Sequence, residues 1–146
     1  MAQWLDDHLH AAPVAQWVPA LVRDRRARTL GADPPRALRR VLDGCAPLSD
    51  DDRDVDVLVH TGELWQPPAL TAARIDALAD GGVLVDLAWI GAWSNAWRLR
   101  AWRRGPGQRA AIDRIATVVA LGLREPQQWV CATGTALVVT LALRRG

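Results

Sequence analysis

The chain has 146 residues and a mass of 16.0 kDa, a length that fits one compact domain, expected here over residues 1–146. Half of its residues are hydrophobic and 23% are charged, which excludes a disordered tail and a fibrous protein. The formal net charge is +2, and because the arginines lie on separate segments without a compact basic stripe, we expect no binding to nucleic acid.

The first third of the chain predicts two helices and a loop. Apolar residues recur at spacings of three and four over residues 13–22, which predicts an amphipathic helix. A second short helix is predicted within residues 34–44, because it opens on two prolines and ends at a glycine. The acidic segment over residues 48–54 predicts a loop.

The middle of the chain predicts two buried strands joined by a helix. Residues 55–60 and 83–87 are rich in β-branched and other apolar side chains, which is typical of strands covered on both faces. Between them, Thr71 can cap a helix that continues to Asp80 and ends at the two following glycines. This strand–helix–strand order predicts a parallel pair with a right-handed crossover.

The last part of the chain predicts a helix followed by a β-hairpin. The hairpin strands are predicted over residues 128–132 and 136–143, with a turn between them. Taken together, the elements predict an α/β fold, a Rossmann-like three-layer sandwich whose mostly parallel sheet ends in an antiparallel hairpin. The helix before the hairpin has one apolar face, formed by Ile112, Ile115, Ala116 and Val119.

The order of these elements and several short segments resemble class I S-adenosylmethionine-dependent methyltransferases. Residues 55–64 resemble the family's fourth strand and the loop after it. Residues 79–85 resemble the Gly-Gly entry to its fifth strand, and residues 119–123 resemble the helix end before its hairpin. The resemblance covers nearly the whole chain, and it implies S-adenosylmethionine as the cofactor.

In that family, a glycine-rich loop after the first strand lets the backbone approach the cofactor. The matching segment, residues 6–12, begins with Asp6 and has His8, His10 and Ala12 at the three glycine positions. Imidazoles there would fill the cofactor pocket or displace the loop, so we expect weakened S-adenosylmethionine binding. Alternatively, the alignment is shifted by one or two residues and the segment begins a solvated helix.

Four other positions match the family's cofactor site. Asp33 matches the acidic residue that accepts the ribose hydroxyls. Gly44 and Cys45 match a Gly-Asp pair, in which the family's Asp binds the adenine amino group. Gly62 lies in the loop after the fourth strand. The resemblance therefore implies a cofactor-binding role for these four residues, with Cys45 as a departure from the pattern.

Two candidate catalytic residues lie where the strand predicted at residues 55–60 meets its loop. His60 and Glu63 are at the carboxyl end of this strand, the edge at which ligands bind in open α/β sheets. Either residue can act as a general base on a substrate hydroxyl or amine. The alternative is that His60 has a structural role and is hydrogen-bonded to the backbone.

The N-terminal segment also contains residues of the types that bind metals. Asp6, Asp7, His8 and His10 offer oxygen and nitrogen ligands, and His8 and His10 would point to the same side of a strand. His60 is the candidate third histidine. No recognised spacing ties these residues together, so a metal-binding domain is kept as an alternative and no metal is assigned.

A tryptophan-rich segment follows the second predicted strand. Trp89, Trp93 and Trp97 recur every four residues and share one helical face. Three interpretations stay open: packing inside a core without Phe or Tyr, a lid or protein interface, and a helix at a membrane surface. We expect a homo-oligomer or heteromer formed through this face, and no membrane association.

The remaining features bear on compartment and function. Cys45 and Cys131 form no C-x-x-C motif, and the longest apolar run is far shorter than a membrane span, so we expect a cytoplasmic protein. We predict a methyltransferase-like protein with an altered cofactor loop that is non-catalytic or depends on a partner. The alternatives are an active methyltransferase for an apolar small molecule and a repurposed Rossmann-like enzyme.

Overall fold

The structure is a computed structural model that describes residues 13–34, 36–89, 106–133 and 135–144. Within these ranges, the strands are β1 (Ala27–Gly31), β2 (Ala46–Pro47), β3 (Val55–Glu63), β4 (Leu78–Trp89), β5 (Arg124–Thr133) and β6 (Thr135–Leu143). The helices in the same ranges are α1 (Pro13–Val22), α2 (Arg36–Val41), α3 (Ala72–Ile75) and α4 (Pro106–Ala120).

The six strands form one mixed sheet in the order β2-β1-β3-β4-β6-β5. Strands β2, β1, β3 and β4 are parallel, whereas β6 is antiparallel to both β4 and β5. One row of paired residues crosses the sheet from Leu30 through His60 and Asp86 to Thr140 and Gln128. This row places polar side chains in the middle of an otherwise apolar sheet.

The expected Rossmann-like three-layer sandwich with a mostly parallel sheet is wrong. The sheet is mixed, and the described helices are few, with 6 residues in α2 and 4 in α3. The crossover predicted as a helix over residues 71–80 contains only one helical turn. It ends there because Ala77 accepts a hydrogen bond from the Val55 amide at 2.9 Å and the chain enters the sheet at Leu78.

Several local predictions are confirmed. Helices α1 and α2 and the hairpin β5–β6 lie where the sequence pattern predicted them, and β3 and β4 are parallel. Thr71 caps α3, since its hydroxyl oxygen accepts a hydrogen bond from the Arg74 amide at 3.4 Å. None of the helices in the described ranges is both long and apolar enough to span a bilayer.

The hydrophobic core occupies both faces of the sheet, because β3 and β4 are apolar on both sides. On one face, Val18 of α1 and Leu38 of α2 pack against Val57 and Val59 of β3. On the other face, Val118 of α4 belongs to a second cluster with its own residues from β3 and β4. Alternation along the strands therefore separates two apolar clusters.

Helix α4 packs through a different face from the apolar one that the sequence suggested. Ile112 and Val119 are 62% and 50% exposed, whereas Ala111, Arg114 and Val118 are at most 3% exposed. The buried stripe thus contains an arginine, and part of the apolar stripe faces solvent. Long-range partners of Arg114 explain this arrangement.

Candidate functional site

A cleft of about 550 Å³ opens beside the carboxyl ends of β1 and β3. Its volume lies in the range that is usual for small-molecule sites. It is lined by the segment after β1, which includes Asp33, by Thr61 of β3, and by residues 42–45 after α2. Ligands of parallel sheets bind at this kind of edge, so the cleft is the candidate functional site.

The floor of the cleft is held by close contact between the ends of β1 and β3. The Ala32 amide donates to the Thr61 carbonyl at 2.9 Å, and the Thr61 hydroxyl donates to the Ala32 carbonyl at 2.6 Å. Gly31 lies at φ +113°, and a Cβ added there would be 2.1 Å from the Thr61 carbonyl oxygen. Only glycine fits this backbone approach.

Two charged side chains lie at the rim of the cleft. The Arg39 guanidinium donates to Oδ2 of Asp33 at 2.8 Å and to the Pro34 carbonyl at 3.3 Å. The side chains of Asp33 and Arg39 are 80% and 60% exposed, so this ion pair contributes little to stability. Both groups are accessible to a ligand, the carboxylate as an acceptor and the guanidinium as a donor.

Apolar side chains also line the cleft. Leu42, Pro47 and Leu48 are among them, together with Cys45, whose side chain is half-buried. Burial raises the pKa of the Cys45 thiol, and the positive charge of Arg28 opposes this shift in part. The thiol is therefore protonated at neutral pH, a state that favours apolar contact over nucleophilic attack.

A buried ionic network lies between the sheet and α4. Nη1 of Arg114 is 2.9 and 2.8 Å from the two carboxylate oxygens of Asp86, and both residues are at most 1% exposed. Nη2 of Arg114 donates to the carbonyls of Glu63 and Gln66 at 2.7 and 3.1 Å. Buried charges need such pairing, because an unpaired charge in the interior is costly.

His60 belongs to the same network. Its Nδ1 is 2.8 Å from Oδ1 of Asp86, and its Nε2 is 3.2 Å from the Ala69 amide nitrogen. Because the amide is the donor to Nε2, the ring is neutral and its proton is on Nδ1, which donates to the carboxylate. With both nitrogens engaged and 2% exposure, the geometry supports the structural interpretation of His60.

The cleft brings together three of the predicted cofactor residues, since Asp33, Gly44 and Cys45 all line it. Gly62 follows Thr61 on β3 but is not among the lining residues. Glu63 ends β3, is half-buried, and contributes its backbone carbonyl to Arg114. The catalytic roles assigned to His60 and Glu63 stay predictions.

Several predicted residues lie outside the described part of the chain. These are Asp6, His8, His10 and Ala12 of the loop matched to the cofactor site, and Trp93 and Trp97 of the expected interface. Trp89 is described: it ends β4 and packs half-buried against the core. Among the described residues, no group of three or more potential metal ligands is present.

The pairing of Asp86 with Arg114 was not predicted from the sequence. A signal was available for Asp86, because it is the single charged residue of the apolar segment 83–89. Such a residue needs a partner of opposite charge, and the chain offers many candidates. Only the parallel register, which sets His60 beside Asp86, and the position of α4 identify the actual partners.

The residues of the cleft fit the adenosine half of S-adenosylmethionine in their chemistry. Asp33 offers a carboxylate to a ribose diol, and Leu42, Pro47 and Leu48 offer apolar contact to a planar base. Gly44 also faces open space, since a Cβ built on it meets no atom within 4 Å.

Comparisons with known proteins give only a distant likeness. No protein-family model matches the chain, and no curated protein matches it. The chain is similar to a solved structure described as a possible exported protein from Bordetella parapertussis. That alignment has 13% sequence identity and a TM-score of 0.47, and it covers 96% of this chain and 67% of that chain.

Proposed function

We propose that this protein binds a ribonucleoside-type small molecule in the cleft beside β1 and β3, and that it acts as a binding protein rather than as a methyl-transferring enzyme. One observation carries the proposal. The accessible carboxylate of Asp33 and the apolar side chains of Leu42, Pro47 and Leu48 line the same cleft of about 550 Å³. A ribose with an attached base presents the matching pair of groups, a diol and a planar ring.

Two features support binding over catalysis. Cys45 is a nucleophilic side chain that lines the cleft, and its raised pKa keeps the thiol protonated at neutral pH. The His60 imidazole is buried and engages both nitrogens with protein groups. A general base needs a nitrogen that can reach the substrate, and this ring has none to offer in the described arrangement.

Calorimetry with adenosine and with S-adenosylmethionine tests the proposal. We expect saturable binding of at least one of them, with a Kd on the order of 100 µM or below. Asp33→Asn should weaken binding roughly tenfold or more, because it removes the charged acceptor for the diol. Asp51→Asn is the control, since Asp51 is an exposed acid outside the cleft.

A ligand that lacks only the diol measures how much the contact between Asp33 and the diol contributes to binding. The dideoxy analogue 2′,3′-dideoxyadenosine should bind the wild type more weakly than adenosine does. The two ligands should bind Asp33→Asn almost equally, because the partner of the diol is already lost. Absence of binding at millimolar adenosine and S-adenosylmethionine would overturn the proposal, as would an undiminished preference for the diol in Asp33→Asn.

A further inference from the structure

Two opposite charges lie side by side at the rim of the cleft. Nη2 of Arg39 is 2.8 Å from Oδ2 of Asp33, and both residues line the cleft. The side chains of Arg39 and Asp33 are 60% and 80% exposed, so the pairing removes neither charge from solvent. A ligand that contacts the Asp33 carboxylate therefore lies within reach of the Arg39 guanidinium as well.

The guanidinium of Arg39 has donors that the described part of the protein does not use. Its Nη2 donates to Asp33 and to the Pro34 carbonyl. Among the described residues, Nη1 and Nε of Arg39 have no hydrogen-bond partner. An arginine side chain carries its N–H donors in one rigid plane, which matches the oxygens of a phosphate. Arg39 can therefore bind a phosphate while it stays bonded to Asp33.

The diol limits where such a phosphate can be attached to the ligand. A phosphate on the 2′ or the 3′ oxygen would remove one of the two hydroxyls that Asp33 is proposed to bind. The 5′ oxygen is the position on the sugar that leaves the diol intact. A 5′-phosphate also lies on the same small ring as the diol, so two adjacent side chains can contact both groups.

We infer that the cleft prefers a ribonucleoside 5′-phosphate to the unphosphorylated nucleoside, with Asp33 at the diol and Arg39 at the phosphate. This inference rests on the proposed function, because it needs the diol at Asp33. Arg39 is then a specificity-determining residue, since it contacts a group that distinguishes two ligands with the same sugar and base.

Asp43 is the third charged side chain that lines the cleft, and it opposes phosphate binding. Its side chain is exposed, and it has no hydrogen bond or ion pair with the described residues. Like charges repel over distances up to the Debye length, about 8–10 Å at moderate salt. The phosphate is therefore favoured at the rim beside Arg39, and the Asp43 carboxylate reduces the preference for it.

Calorimetry at low ionic strength compares adenosine with adenosine 5′-phosphate. The wild type should bind the 5′-phosphate about tenfold more tightly than adenosine, because a hydrogen bond to a charged group is gained. Arg39→Gln should abolish this preference, and Asp43→Asn should increase it. The control is Arg40→Gln, which removes an exposed arginine of the same helix that does not line the cleft and should keep the wild-type preference.

The position of the phosphate is tested with adenosine 3′-phosphate. This ligand has the same charge but lacks the 3′-hydroxyl, so the wild type should bind it more weakly than the 5′-phosphate. Tighter binding of the 3′-phosphate would overturn the inference, and so would a preference for the 5′-phosphate that persists in Arg39→Gln.

Salt gives a second readout of the same contact. The preference of the wild type for the 5′-phosphate should decrease as NaCl rises from about 20 to 500 mM, because exposed charges are screened. Adenosine binding should change much less. A preference that is independent of salt would contradict a charge contact at Arg39.

The two proposals for the cleft fail in different ways. If the wild type binds adenosine with the expected dependence on Asp33, but binds the 5′-phosphate no more tightly, the inference about Arg39 is overturned and the proposed function stands. If the wild type binds neither ligand at millimolar concentration, both are overturned.

Discussion

Arg114 and Asp86 form a buried ion pair between α4 and the central strand β4. Nη1 of Arg114 contacts both carboxylate oxygens, at 2.9 and 2.8 Å, and the side chains are 2% and 1% exposed. The carboxylate also accepts from His60. The pair therefore joins the helix to the sheet, but it buries two charges. Burying them is tolerated only while each charge keeps its partners.

Replacing Arg114 with Met should lower the free energy of unfolding by about 3–5 kcal/mol, because the carboxylate of Asp86 then stays buried without its counter-charge. Urea denaturation measures the loss. The control is Arg109→Met on the exposed side of the same helix, which should change stability by no more than about 0.5 kcal/mol.

Coupling between the two residues provides a further check. Adding Asp86→Asn to Arg114→Met should cost less than the sum of the two single substitutions, because the second change removes the charge that the first left unpaired. Strict additivity, or an effect of Arg114→Met as small as that of Arg109→Met, would contradict the role assigned to this pair.

Gly31→Ala should destabilise the protein by about 3 kcal/mol or more. The residue lies at φ +113°, and the new Cβ would meet the Thr61 carbonyl oxygen at 2.1 Å, so both conformational strain and a backbone clash result. Gly44→Ala is the control, because Gly44 lies at φ +87° but a Cβ there meets open space. That change should cost about 1 kcal/mol.

Thermal or urea denaturation of the two variants separates two effects. Both variants have the backbone strain of a positive φ, and only Gly31→Ala has the clash with the Thr61 carbonyl. The additional loss of stability in Gly31→Ala therefore measures how closely the backbones of β1 and β3 approach each other at the cleft. Equal losses in both variants would mean that the strand ends are not held together as closely as described.

Asp52 should make stability depend on pH in the acidic range. Its pKa is lowered to about 2, chiefly by the hydrogen bond from the Ser49 amide, and further by Arg26 and Arg28. A group whose pKa is lower in the folded state stabilises the fold above its unfolded pKa, about 3.9, and this contribution disappears as the pH falls through about 2.

The measurement compares wild type and Asp52→Asn by urea denaturation between about pH 2 and pH 7. The wild type should be more stable at neutral pH, and the difference should shrink as the pH falls from about 4 to 2. Asp51→Asn corrects for the loss of an exposed carboxylate from the same loop. A difference that stays constant over this range would contradict the assignment.

The Cys45 thiol should react slowly with iodoacetamide near pH 8. Burial raises its pKa, so less thiolate is present than for a free cysteine. A Cys131→Ser background isolates the reaction, and the same chain unfolded in urea is the reference. Bound adenosine should slow the reaction further, because Cys45 lines the cleft. If Cys45 is labelled as fast in the folded chain as in the unfolded chain, the thiol is not buried with a raised pKa.

Local sequence patterns predicted some parts of the fold well. The β-branched content of β3 and β4 predicted two buried strands, their order around a helix predicted a parallel pair, and the turn between β5 and β6 predicted the hairpin. These elements depend on residues close together in the chain, so composition, element order and turn residues are sufficient to find them. The grouping of Asp33, Gly44 and Cys45 followed instead from a family resemblance; the three residues line one cleft, and their role in cofactor binding stays a prediction.

Tertiary contacts decided the features that local patterns left open. Apolar periodicity suggested Ile112 and Val119 as part of the packed face of α4, but the helix buries Arg114 instead, because Asp86 and two backbone carbonyls pair with its two terminal nitrogens. Likewise, the register placed His60 beside Asp86, where its Nδ1 contacts the carboxylate. The sequence alone determined where α1, α2, β3, β4 and the hairpin form. Which polar side chains are buried depended on partners that lie far apart in the chain and meet only in the folded protein.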